Sequence, residues 1–298
     1  MSGKDTFSSY HPIISFIYFG LILGFSMFFG HLVCIAVSLV SAVTYSIYLR
    51  GKKGVRFSLM YMLPMMMFSV IVSVAFSHGG VTILAYFPSG NPLTLESIVY
   101  GVASATTLVT VITWFTCYSE VITSDKFVYL FGKIIPALSL VLSMTLRFVP
   151  KFKAQLKVVS EAQRDLGRDV FEGSLFQRIR KAITILSILL TWSLENAIET
   201  ADSMRSRGYG LPGRSAFSIY RFDSRDKLVF LWLLGCGVYI VIGWITGAAY
   251  WRYFPSIKGT VSGVYSASFF AVYFALCLTP VILNAKEDRK WTRLQSKI

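Results

Sequence analysis

Residues 12–49 read PIISFIYFGLILGFSMFFGHLVCIAVSLVSAVTYSIYL, 38 positions without one Lys, Arg, Asp or Glu. A helix needs roughly 20 mainly apolar residues to cross a hydrocarbon core of about 30 Å. One span cannot use 38, so the run predicts two helices turning near Gly30 and His31. Outward from it, Phe57–Ser77, Leu95–Tyr118, Leu228–Tyr250 and Ser262–Ala285 meet the same criterion, which brings the count to about six. Composition agrees: 54% of the 298 residues are hydrophobic and 15% charged, too apolar for a soluble domain.

The charges orient these spans. Lys and Arg number 29 against 15 Asp and Glu, a net charge of +14, and cytoplasmic loops collect Lys and Arg. Arg50, Lys52, Lys53 and Arg56 crowd one short loop, and segments 119–227 and 286–298 are rich in both. Between Ser77 and Leu95 there is no charge, and the connection Trp251–Val261 holds only Arg252 and Lys258 beside Tyr250, Tyr253 and Phe254. The basic segments are therefore expected inside and the other two connections outside. An even number of spans places both termini in the cytoplasm. The basic excess thus belongs to a bilayer, and no nucleic-acid partner is expected.

Residues 1–11 carry only Lys4 as a base and no small-residue cleavage site follows, so no cleaved signal peptide is expected. Cys34, Cys117, Cys236 and Cys277 stand singly in apolar runs and read as packing residues. His11, His31 and His78 lack paired carboxylates or cysteines and read as polar span termini, with no metal site.

The chain accordingly divides into N-terminal transmembrane helices (1–118), a charged middle (119–227), and C-terminal transmembrane helices with a basic tail (228–298). In the middle, Phe127–Val149 is apolar but carries Lys133, Arg147 and an internal Pro136, and predicts a helix bent at the membrane interface. Lys151–Arg168 repeats Phe152, Leu156, Val159 and Ala162 at helical spacing, with Lys151, Lys153, Lys157 and Arg164 elsewhere. A turn at Gly173 and Ser174 precedes a helix over Leu175–Arg207. Its apolar stretch, Ala182–Leu194, is too short to span. Two such amphipathic helices suit a platform along the cytoplasmic face. The class expected is an all-α membrane protein of about six transmembrane helices with this platform.

Five motifs resemble the transmembrane T component of energy-coupling factor transporters, ABC-type importers of prokaryotes. They are Tyr10-His11-Pro12, Thr94–Gly101, Leu146-Arg147-Phe148-Val149-Pro150, Glu161-Ala162-Gln163-Arg164 and, most specifically, Ala201-Asp202-Ser203-Met204-Arg205-Ser206-Arg207-Gly208-Tyr209-Gly210. The resemblance implies a multi-pass protein of the cell membrane that is not an enzyme. It implies two cytoplasmic ATPase subunits, which bind the ATP and Mg²⁺, a small substrate-binding membrane S component, and no cofactor on this chain. Vitamins and transition-metal ions are the cargo of such importers. ATPase coupling falls to Ser206, Arg207 and Gly208. In the first motif Leu166 stands where the family has its central Arg, leaving Arg164 or Arg168 for that role. Arg147, Pro150, Glu161, Gln163, Asp202 and Met204 belong to the platform. An Arg at a helix end also has its own physical reading, a planar five-donor fork suited to carboxylates.

Gly208–Ser215 nearly spells a phosphate-binding GxxxxGK[ST] loop, but Arg214 replaces the Lys, Pro212 removes a donor, and the segment follows a helix. Glu96 reads as a carboxylate at a helix N-terminus, the alternative being an ion path. Met60, Met62, Met65, Met66 and Met67 with Pro64 read as packing, or as a re-packable partner contact. A membrane enzyme acting on lipid or polyprenyl phosphates would use Asp202, Arg205, Arg207, Arg214, Asp223 and Arg225, but metal-dependent chemistry wants several carboxylates converging on one face. A self-contained carrier would need ionisable residues within the spans, and these are scarce.

Overall fold

The long apolar run breaks where a histidine can cap a helix. In the computed structural model, which describes residues 5–77, 79–86, 92–132, 135–212, 220–259 and 263–295, α1 covers Pro12–Phe28 and α2 covers Leu32–Arg50. His11 and His31 are the N-caps: each Nδ1 accepts the amide two residues on, Ile13 at 3.3 Å and Val33 at 3.2 Å. Each pairs one of the donors that a helix start leaves unsatisfied. His78 lies outside the described residues.

The remaining helices are α3 (Lys52–Phe76), α4 (Leu95–Val121), α5 (Ser124–Gly132), α6 (Pro136–Asp165), α7 (Leu175–Ser206), α8 (Ser224–Ile245) and α9 (Val264–Gln295). A single helical turn at Phe7–Ser9 and two antiparallel hairpins, β1 (Ile83–Tyr86) with β2 (Pro92–Thr94), and β3 (Trp251–Arg252) with β4 (Lys258–Gly259), complete the elements among the described residues. The architecture is that of an all-α membrane protein. Residues 1–123 and 220–298 form one compact unit and Ser124–Ile219 a second. Each of the six segments read as spans falls on a helix of the first unit.

Lys52, Lys53 and Arg56 do not sit in a loop: only Gly51, at φ +57°, separates α2 from α3, so these cations lie on the first turns of α3. Pro136 does not bend a helix from within. It starts α6, where its missing amide costs nothing, while Pro150, expected to precede a new helix, lies inside α6. Helix α7 is also longer in apolar content than Ala182–Leu194 suggests: it is one of five helices long and apolar enough to cross a membrane by length and composition, with α2, α4, α8 and most of α9. Only 6% of its apolar window is buried within the chain, against 33% to 39% for the other four.

In lipid, helices associate through close packing and interhelical hydrogen bonds. Helices α3 and α4 do this through small residues: a Cβ at Gly101 would lie 2.9 Å from Ser73 Cβ. Ser73 Oγ donates to Ser97 O at 2.8 Å and Ser69 Oγ to Gly101 O at 3.2 Å. The core of this unit is aromatic. Phe7, ahead of α1, is fully buried against Tyr18, Phe19 and Tyr45. Trp114 donates Nε1–H to Ser38 Oγ at 3.0 Å. All four cysteines are buried and free, as packing residues should be. Met60 and Met67, in contrast, stand exposed and do not pack into this core.

The two connections expected outside are joined to each other. Val81 N donates to Pro255 O at 3.1 Å, and Tyr253 donates its hydroxyl to Gly30 O at 2.6 Å. The Tyr100 ring lies 5.5 Å from that of Tyr253. Glu96, 3% exposed, does more than sit at a helix start. Its carboxylate accepts Thr82 N at 3.2 Å and Thr82 Oγ1 at 2.9 Å, while Thr94 caps α4 through Ser97 N. Asp226 likewise serves the start of α8, accepting Asp223 N at 3.0 Å.

Candidate functional site

Helices α6 and α7 carry every residue singled out for coupling except those in the turns that end them. They run antiparallel: Val159 packs with Ile185 and Leu189, while nearer the start of α6 Lys151 Nζ donates to Asn196 Oδ1 at 2.8 Å and Phe152 meets Trp192 edge-on at 5.6 Å. Lys151 also lies 5.4 Å from the centroid of the Trp192 ring, within cation–π range. The buried seam is thin. Its outer side is a continuous apolar stripe, Ile179, Ile183, Leu186, Leu190, Leu194 and Ile198, each 57% to 66% exposed. Steps of three and four residues place these side chains on one helix face.

The two helices end in the same backbone device. At the close of α7, Gly208 adopts φ +78°, its N–H donates to Arg205 O at 3.0 Å, and Tyr209 N donates to Met204 O at 3.0 Å. At the close of α6, Gly167 adopts φ +73°, donates to Arg164 O at 2.9 Å, and Arg168 N donates to Gln163 O at 2.9 Å. Both pairs are Schellman closures, in which a left-handed glycine lets two terminal carbonyls be satisfied. The equivalence puts Arg164 level with Arg205, Leu166 with Arg207, and Arg168 with Tyr209. Glu161 and Gln163 likewise match Asp202 and Met204.

Side chains at both ends point to solvent. Arg164, Leu166, Arg168, Asp202, Ser206 and Arg207 are exposed, and Gln163, Met204 and Gly208 half-buried. Ser206 Oγ donates to Ser203 O at 2.9 Å, which ties it to its own helix. Arg147 and Pro150 lie exposed farther back on α6.

The ends differ in chemistry. Arg164 Nε lies 3.4 Å from Asp169 Oδ2. That aspartate organises the connection to α7, accepting Phe171 N at 3.0 Å through its side chain and Lys181 Nζ at 2.8 Å through its carbonyl. Lys153, Lys157, Arg164, Asp169 and Phe171 line a groove of about 330 Å³ here. Asp169 and Lys181 were not foreseen from the sequence; the signal available was Asp two residues before Phe171, a local turn pattern. The connection returns through Gly173, at φ +103°, to Ser174, whose N–H donates to Gln177 Oε1. The antiparallel register sets the end of α6 beside the second turn of α7, so the two arginine ends are separated by most of the length of α7, about 40 Å at 1.5 Å per residue.

Among the described residues no group of three or more His, Cys, Asp or Glu gathers to hold a metal ion. Gly213, Arg214 and Ser215 of the phosphate-loop look-alike lie outside the described residues.

No protein-family model matches the chain. Similarity to individual proteins is specific: the energy-coupling factor transporter transmembrane protein EcfT of Lacticaseibacillus paracasei is 36% identical over 107 residues, 36% of this chain and 39% of that protein. EcfT of Lactococcus lactis is 33% identical over 106 residues, 35% of this chain and 40% of that protein. EcfT 1 of Listeria monocytogenes is 29% identical over 177 residues, 55% of this chain and 65% of that protein. The chain thus spans about two fifths of the length of the first two relatives and just under two thirds of the third, and over those stretches it is EcfT-like.

Proposed function

We propose that this chain is the transmembrane T component of an energy-coupling factor importer. It couples two cytoplasmic ATPase subunits to a small substrate-binding membrane protein in the uptake of a vitamin or transition-metal ion. The observation that carries this reading is the pair of matched helix ends, each closing on a left-handed glycine with an exposed arginine in its last turn, held about 40 Å apart by an antiparallel helix pair. Two ends that far apart suit two subunits.

At the second end Arg207 offers its fork to carboxylates of one ATPase, with Ser206 and Gly208 shaping the turn. At the first end Leu166 holds the equivalent place, so Arg164 supplies the cation from the position that Arg205 occupies in α7, with Arg168 beside it. The unpartnered stripe of α7 receives the S component. Closure of the ATPases around ATP and Mg²⁺ displaces both ends and carries the stripe with them. The chain itself hydrolyses nothing, and its basic segments place both termini in the cytoplasm.

The test is a pull-down of the tagged chain from native membranes in mild detergent, with mass spectrometry of what co-purifies. ABC-type ATPases and a small membrane protein are expected. Arg207→Glu sets an anion against the partner's carboxylates and should weaken ATPase recovery by at least about 30-fold, about 2 kcal/mol, with unchanged yield of the chain. A chain that purifies alone from cells expressing the ATPases, or undiminished recovery by Arg207→Glu, would overturn the assignment.

A further inference from the structure

The last helix belongs to the membrane unit and not to the unit of the platform helices α6 and α7. From Val264 to Ala285 helix α9 contains no charged residue, and it then continues unbroken to Gln295 through Lys286, Arg289, Lys290 and Arg293. Its inner face is fixed by Asn284, fully buried and accepting Phe7 N at 2.9 Å, and by Asp288, which accepts the Tyr48 hydroxyl at 2.8 Å. At about 100° per residue, Ile282, Lys286, Arg289 and Arg293, four, three and four apart, lie on the side opposite those two. The outer side thus reads apolar first and cationic directly after. Together with Lys290, Ala285 and a bordering Glu287 these residues line an open groove of about 760 Å³. Sorting by the positive-inside rule asks only for cations near a span end. It does not ask that they share one face.

We infer that this groove seats an anionic phospholipid, with the phosphodiester headgroup among Lys286, Arg289, Lys290 and Arg293 and the start of an acyl chain along Ile282 and Ala285. Charge complementarity and continuity with the lipid-facing side of a span select this occupant, because basic clusters directly beyond a transmembrane helix attract anionic headgroups. The inference stands independently of the coupling function.

The probe is the full chain in nanodiscs of equal phosphatidylcholine and phosphatidylglycerol, with lipids retained by the protein counted by native mass spectrometry. The wild type should retain phosphatidylglycerol over phosphatidylcholine by about tenfold or more, since each cation near a membrane surface contributes about fivefold before screening. The combined Lys286→Gln, Arg289→Gln, Lys290→Gln, Arg293→Gln variant should fall to within about twofold of parity. Lys286→Arg with Lys290→Arg should keep the preference, as should Arg252→Gln with Lys258→Gln on the β3–β4 hairpin. Should the fourfold variant not fold, Arg289→Gln alone gives the graded loss. No preference in the wild type, an undiminished one in the variants lacking cations, or equal retention of inorganic phosphate without lipid would each overturn the inference.

Discussion

Leu166 and Arg207 occupy equivalent places one residue before a left-handed glycine, so the two ends differ by a side chain and not by a backbone. Those glycines are where single substitutions should act. A left-handed residue with a Cβ costs roughly 1–2 kcal/mol, and at Gly208 an added Cβ would also meet Leu211 Cδ1 at 3.1 Å, whereas at Gly167 it meets nothing within 4 Å. Gly167→Ala should therefore show the backbone cost alone, and Gly208→Ala at least as much. Hydrogen exchange at the amides of residues 167–168 and 208–209 should accelerate by about 5- to 30-fold in the respective variants. Unchanged exchange would mean that neither closure depends on its glycine. The Arg164–Asp169 pair is exposed on the arginine side and belongs to the weak surface class, so it positions more than it stabilises.

Helix α7 has two faces with different fates. Leu189, 8% exposed, is buried against α6, and Leu190, 62% exposed, is its immediate neighbour on the outer stripe. Leu189→Ala should loosen the pair by about 2–3 kcal/mol, the low end for a thin core, and limited proteolysis of residues 166–174 should speed up accordingly. Leu190→Ala should leave proteolysis unchanged and reduce co-purification of the small membrane protein proposed to dock on that stripe. Equal effects of the two on proteolysis would mean that the stripe is not a free face. The amphipathic character of α6 and α7 was legible from spacing. The division at Ile135 and Pro136 was not, because a proline reads equally as a bend inside a helix or as the first residue of a new one.

In the membrane unit, distant segments are tied at the connections expected outside. Tyr253 donates to Gly30 O, and burial, with Tyr100 beside it, pushes its phenol up to about 12 from the ordinary value of 10.0. The folded state thus prefers the neutral phenol. Its contribution is whole below the unfolded value near pH 10 and is lost as pH climbs through about 12. Tyr253→Phe should remove one late-ionising phenol from the alkaline absorbance titration and cost up to about 1 kcal/mol at neutral pH for the hydrogen bond. A variant with an unaltered titration near pH 12 would show that this hydroxyl is not held.

The sequence by itself determined the all-α membrane class and the place of the arginine turns. Apolar length and charge position are set by the bilayer as solvent, and each is a local property of the chain. Tertiary structure decided that His11 and His31 act as caps, that the two outer connections pair, that Asp169 holds Arg164, and that the four cations of α9 share an outward face. The caps and the Arg164–Asp169 pair are contacts close in sequence that rest on side-chain geometry. The pairing of the connections depends on partners distant in sequence, and the face of α9 on which side of the helix the core lies. Periodicity leaves both open until packing chooses the inner face.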